Sequence, residues 1–231
     1  MLINSDQDNI ERLVIDGVVD FDDYYSGRRS RRFALVRCSS LIIGSWSKNL
    51  KDTDKGLQLF YHGCAAAGTA CPLYANSSSL VQRRLENILT TIKASPLPVL
   101  DETASSYAVV DYSMVKNDLF RALYNPFKEL TQYAYVLAAL EKGDGRPALA
   151  YWKKLHEQPK CNSKPTIPAD SLEAGIAIQC GEGEGAGRDF DDIVQQFEEL
   201  STISMFADVW VDLTRTECAC VLYSSMQPMT C

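Results

Sequence analysis

Apolar positions fall into two patterns along this chain, a short continuous run near the start and helical spacing through the middle. Leu13, Val14 and Ile15 form a run that Asp16-Gly17 stops. A run this short and β-branched predicts a strand over 12–16, buried on both faces as in a parallel sheet. Such a strand needs neighbours for its backbone groups and both its faces, and few other segments offer themselves. From Asp52 the spacing becomes helical. Leu57, Phe60, Tyr61 and Cys64 recur every three or four residues behind the capping candidates Asp52, Thr53 and Asp54, up to Gly68. A second helix is predicted over 77–94, with Leu80, Leu85, Ile88, Leu89 and Ile92 as its apolar stripe and Pro96 and Pro98 ending it. A third opens at Asp111-Tyr112-Ser113 and carries Val115, Leu119, Phe120 and Leu123 up to Asn125-Pro126. A fourth runs from Pro126 to about Lys142 with Leu130, Tyr133, Ala134, Leu137 and Leu140 inward. After Gly143-Asp144-Gly145, Pro147 suits the first turn of a fifth helix bearing Leu149, Trp152 and Leu155.

This block of about five helices is expected to contain no strands and reads as a helical cap. A loop follows over 156–171, then a short extended segment over 174–180. A glycine-rich turn over 181–187 leads into a helix from Asp189 to roughly Phe206. Gly181, Gly183 and Ala186 match G-x-G-x-x-A in the right context for a dinucleotide fingerprint. Glu182 and Glu184 lie inside that turn, where they would repel a pyrophosphate, and no second apolar strand with a ribose-binding acid follows. The glycines read as a turn, and no cofactor is expected.

Charge and composition narrow the function classes. The net charge of −7 argues against a general nucleic-acid binder. No apolar run reaches the ~18 residues of a membrane span. The first residues show neither the basic segment nor the apolar core of a signal peptide. Five arginines among residues 28–37, followed by an apolar run to Gly44, interrupt an otherwise acidic chain. A nuclear-localisation patch or phosphate-binding arm would look like this, but an inserted loop without a selected role is the plainer reading. Asp20, Asp22 and Asp23 read as capping and turn residues, with no neighbouring ligands for a metal. Of the eight cysteines, Cys64 and Cys71 flank a turn at a separation suited to closing a small loop. Cys218-x-Cys220 lacks the second ligand pair of a zinc finger, and the chain's two histidines, His62 and His156, stand apart from it in sequence. His62 beside Gly63 reads as a surface or packing histidine, without an identifiable nucleophile as partner.

Four pieces together resemble the fungal and actinobacterial α/β-hydrolases of the tripeptidyl-aminopeptidase-like (TAP-like) family, related to proline iminopeptidases. Residues 12–20 running into Asp23-Tyr24-Tyr25 look like the strand after the nucleophile helix. Asp52-Thr53-Asp54-Lys55 with Phe60-Tyr61-His62-Gly63-Cys64 up to Gly68 look like the first cap helix and its cysteine turn. Ala177-Ile178-Gln179-Cys180 look like the return of the cap to the core. The stretch from Phe206-Ala207-Asp208 to Cys218-Ala219 looks like the last cap portion, and by that resemblance Cys218 pairs with Cys180. The resemblance covers most of 9–27 and 45–219.

It implies an α/β fold: an incomplete α/β-hydrolase with one or two core-type strands and a predominantly helical cap, or lid, of about five helices. The implied divisions are a core remnant over 1–27, an insertion over 28–44, a cap over 45–160, a cap return over 161–219 and an atypical tail over 220–231. Joining Gly27 to Ser45 restores a family-like pattern, so residues 28–44 and the tail are what a translated intron or mis-joined gene model would give. A genuine insertion and a genuinely shortened protein are the rival readings.

Family members are serine hydrolases that cut peptide, ester or related acyl bonds with a Ser-Asp-His triad, the serine on a G-x-S-x-G elbow before the strand matched by 12–16. No G-x-S-x-G occurs before that strand, and His62 and His156 both fall within the cap, so no catalytic residue carries over. Three functions follow as expectations. The first is a serine hydrolase piece that meets a small-molecule or peptide substrate when the missing core is supplied. The second is a non-catalytic cap-like interaction module or relic, prone to self-association through an exposed apolar face. The third is a diverged hydrolase of a fungal secondary-metabolite pathway. Ancestry suggests secretion. Tyr107, Tyr112, Tyr124 and Trp152 are candidates to line a pocket under the cap, although core packing between helices is the plainer role for each.

Overall fold

The computed structural model describes residues 47–101, 106–156 and 190–216. The strand expected over 12–16, the insertion over 28–44, the extended segment before Cys180, the glycine-rich turn, Cys218 and the tail all lie outside the described residues. Within them the architecture is predominantly helical, with seven α-helices and one two-stranded antiparallel sheet.

Helix α1 (Thr53–Ala67) follows a 3₁₀ turn, Ser47–Leu50, and buries Leu57, Tyr61 and Cys64. A disulfide joins Cys64 to Cys71 across the following turn. With the two cysteines seven positions apart in sequence, closing this loop in the unfolded chain contributes about 2 kcal/mol. Helix α2 (Ser78–Ala94) starts at Ser77, whose Oγ accepts from Leu80 N at 3.3 Å. Its buried positions are Val81, Leu85, Ile88, Leu89 and Ile92. Leu80, expected in that stripe, is 41% exposed, because helical spacing puts it on the face of Arg84 and Asn87, whereas Val81 shares that of Leu85 and Ile88.

The strand-free block expected here is corrected by a hairpin, β1 (Leu97–Asp101) paired with β2 (Ser106–Val110) in the register Leu97 to Val110 and Val99 to Ala108. Period-two alternation explains it. Val99 and Val110 are buried on one face, whereas Leu100, Tyr107 and Val109 are exposed on the other. Helix α3 (Tyr112–Ala122) is capped by Asp111, whose Oδ1 accepts from Met114 N at 2.8 Å. Helix α4 (Pro126–Leu140) buries Leu130, Tyr133, Ala134, Leu137 and Leu140 as the spacing predicts. Gly143, at φ 77°, turns the chain into α5 (Arg146–Leu155), which lies under the inner face of the hairpin.

The helix expected over 189–206 ends early, as α6 (Phe190–Ser201), and a separate helix, α7 (Ala207–Val211), follows and continues into a π-helical turn, Asp212–Thr216. Local hydroxyls explain the break. Ser201 Oγ donates back to Phe197 O at 2.6 Å and Thr202 Oγ1 to Glu199 O at 2.7 Å. Just beyond, Asp54 of α1 accepts from Ser204 Oγ at 2.6 Å and from Met205 N at 3.2 Å. The chain is thereby turned so that Phe206 and Trp210 dock against Phe120 of α3, with ring centroids 5.2 and 5.9 Å away.

Candidate functional site

Docking α7 beside α3 leaves a cleft of about 390 Å³ between α3, α6 and the π-helical turn. Ile193, Val194 and Phe197 form its apolar wall on α6, and Tyr112 and Lys116 form its polar floor on α3. Lys116 is one helical turn after Tyr112, so both side chains lie on one face. Lys116 is 6% exposed. A buried ammonium is costly unless it is paired and hydrogen-bonded, and here it is both. Its Nζ donates to the Tyr112 hydroxyl and, at 2.9 Å, to Asp208 Oδ2.

Tyr112 donates its own proton to the same Asp208 oxygen at 2.7 Å, and Asp208 Oδ1 accepts from Val209 N at 2.9 Å. Burial and the bond to Asp208 push the Tyr112 hydroxyl far above the ordinary tyrosine value, so it stays protonated. Lys93, from the end of α2, lies 4.9 Å from the centroid of the Tyr112 ring. In the resulting floor one ammonium is paired directly with one carboxylate, and the Tyr112 hydroxyl is hydrogen-bonded to both. It can hold and orient a polar group but supplies no activated nucleophile.

Of the four pocket candidates, Tyr112 alone lines this cleft. Tyr107 is 83% exposed on the outer face of the hairpin. Tyr124 is exposed beyond the end of α3, edge-on to Phe120 at 5.9 Å. Trp152 stacks on His156 at 4.7 Å, and the imidazole Nδ1 lies 2.9 Å from Trp152 O. His62 is exposed on α1. Since these are the chain's two histidines, both are placed, and among the described residues neither is hydrogen-bonded to a serine or a carboxylate. Ser204 has a carboxylate partner in Asp54, with Thr53 Oγ1 2.7 Å from its Oγ. With an acid as its direct acceptor and no imidazole between, this serine ties α1 to the turn before α7.

The sequence reading missed Lys116 and the cleft role of Asp208. A signal existed for the first. A lysine between Tyr112 and Phe120, four residues from each, interrupts an apolar stripe. A second group was also missed. Asp118 is 1% exposed, and neither of its oxygens has a hydrogen-bond partner among the described residues. Burial pushes its carboxyl up to about 7, against the opposing pull of Arg121. It belongs to the core and not to the cleft. Among the described residues no group of histidine, cysteine and carboxylate side chains is placed to hold a metal, and no helix is long and apolar enough to cross a membrane.

No family model matches the chain, and neither a curated protein nor a solved structure matches it.

Proposed function

We propose that the chain is a ligand-binding helical module of the cap type carried by serine hydrolases, and that it performs no bond cleavage on its own. The observation that carries this reading is the cleft itself. It combines an apolar wall with a polar floor whose members are locked to one another by hydrogen bonds, the make-up of a small-molecule or peptide site. The hydrolase connection rests on the resemblance of the four sequence pieces. The non-catalytic part is supported by the positions of His62 and His156, neither of which faces the cleft. In a complete hydrolase such a cleft would roof the substrate and select it before chemistry elsewhere.

Two measurements on the purified 231-residue chain test this. Treatment with a fluorophosphonate followed by intact mass analysis is expected to give no adduct, and a stoichiometric serine adduct would refute the non-catalytic assignment. Titration with 4-phenylbutyramide, followed by amide NMR, is expected to shift signals of Tyr112–Asn117, Ile193–Phe197 and Asp208–Asp212. Shifts scattered over the surface would refute the cleft.

A second reading, an interaction module, is favoured by the apolar outer face of the hairpin, where Leu100, Tyr107 and Val109 are exposed together.

A further inference from the structure

An ammonium group has three N–H donors. Lys116 uses one on the Tyr112 hydroxyl and one on Asp208. The third has no partner among the described residues, and Lys116 borders the cleft. A ligand entering there meets one available donor on a cation that Asp208 already neutralises. It also meets a second carboxylate, that of Asp212, exposed where the π-helical turn borders the same cleft. Among the residues that line the cleft the two acids outweigh Lys116 by one negative charge, and Lys93, 4.9 Å from the Tyr112 ring centroid, is not one of them.

We infer that the cleft selects its ligand by charge. It takes an uncharged hydrogen-bond acceptor with an apolar arm, using the third N–H of Lys116, and rejects carboxylates of the same shape through Asp208 and Asp212. The inference rests on the binding-module reading and adds a specificity rule, with Asp212 as the residue that sets it. A neutral carbonyl keeps Lys116 paired with Asp208 and satisfies the remaining donor. A carboxylate would compete with Asp208 for the ammonium and bring a third negative charge beside Asp208 and Asp212, a repulsion that added salt screens. Arranging like charge against the wrong ligand is a common source of discrimination.

The test uses a matched pair, 4-phenylbutyramide and 4-phenylbutyrate, each titrated into the full chain at pH 7.5 and low salt. The amide is expected to bind at least about tenfold more tightly than the acid, and the ratio to shrink as salt is added. In Asp212→Asn the ratio is expected to fall about threefold or more, whereas Glu86→Gln on the exposed side of α2 leaves it unchanged. Asp212 is solvent-facing, so its substitution leaves the core intact. Equal or tighter binding of the acid, or an unchanged ratio in Asp212→Asn, overturns the charge rule while the cleft stands as a binding site. Failure of both ligands to bind overturns the cleft reading together with the rule.

Discussion

Asp118 sits near Tyr133 and Tyr151, where α3 meets α4 and α5, with both carboxyl oxygens lacking hydrogen-bond partners among the described residues. Tyr133 spends its proton on Val115 O at 2.7 Å and Tyr151 on Glu129 Oε2 at 3.1 Å, so neither donates to it. Arg121 on the same helix is the cation that acts on it. The folded chain therefore holds this carboxyl protonated up to about pH 7, against 3.8 as the ordinary value. The sign follows from proton binding. The folded state binds the extra proton between those values, so the stability this group confers is complete below about pH 4 and is lost as pH rises through about 7. The full span is at most on the order of 4 kcal/mol. Denaturant melts at pH 5 and pH 8 should show the wild-type chain losing stability over that interval, and Asp118→Asn losing distinctly less. Equal losses in both proteins would show that Asp118 ionises freely in the fold.

Among the elements, the long helices were legible because each buries one stripe, and all but α1 begin with a residue that caps or tolerates a helix start. Ser77, Asp111, Pro126 and Pro147 did this work, and α1 to α5 lie within a few residues of their predicted bounds. The hairpin was not legible. Pro96 and Pro98 read as the end of a helix, and the five-residue strands are too short for alternation to stand out from a loop. What makes the hairpin a defined element is the surface beneath it. A Cβ on Gly145 would stand 2.6 Å from Val99 Cγ2 and 3.3 Å from Val110 Cγ2. Valine side chains are stiff about χ1 and cannot swing clear, so the glycine is what lets the start of α5 approach the sheet. Gly145→Ala is expected to lower stability by about 1–3 kcal/mol through overpacking, seen as a reduced denaturation midpoint at unchanged m-value. A neutral or stabilising result would mean that the hairpin is loosely seated.

At the scale of the whole molecule, the cleft was hidden from the sequence because its halves are far apart in the chain. The bond between Tyr112 and Asp208 spans 96 positions and that between Ser204 and Asp54 spans 150. Periodicity reports which face of a helix turns inward but not which helix it meets. Asp54 shows the consequence, since a residue read as a helix cap instead fastens α1 to the start of α7. Its carboxylate accepts from Ser204 Oγ and Met205 N, and Ser204 Oγ in turn accepts from Phe206 N at 3.1 Å. Hydrogen bonds to a carboxylate contribute about 1.5–3 kcal/mol each, so their joint loss should exceed any effect on α1 alone. Asp54→Ala is expected to speed hydrogen exchange across residues 204–211 by the equivalent of about 2–4 kcal/mol. Exchange in the buried stretch of α2, from Val81 to Ile92, should change far less. Binding of 4-phenylbutyramide should weaken in parallel, because α7 brings Asp208 to Lys116. Uniform acceleration through both α2 and α7 would indicate that Asp54 supports the entire fold and not the docking of α7 in particular.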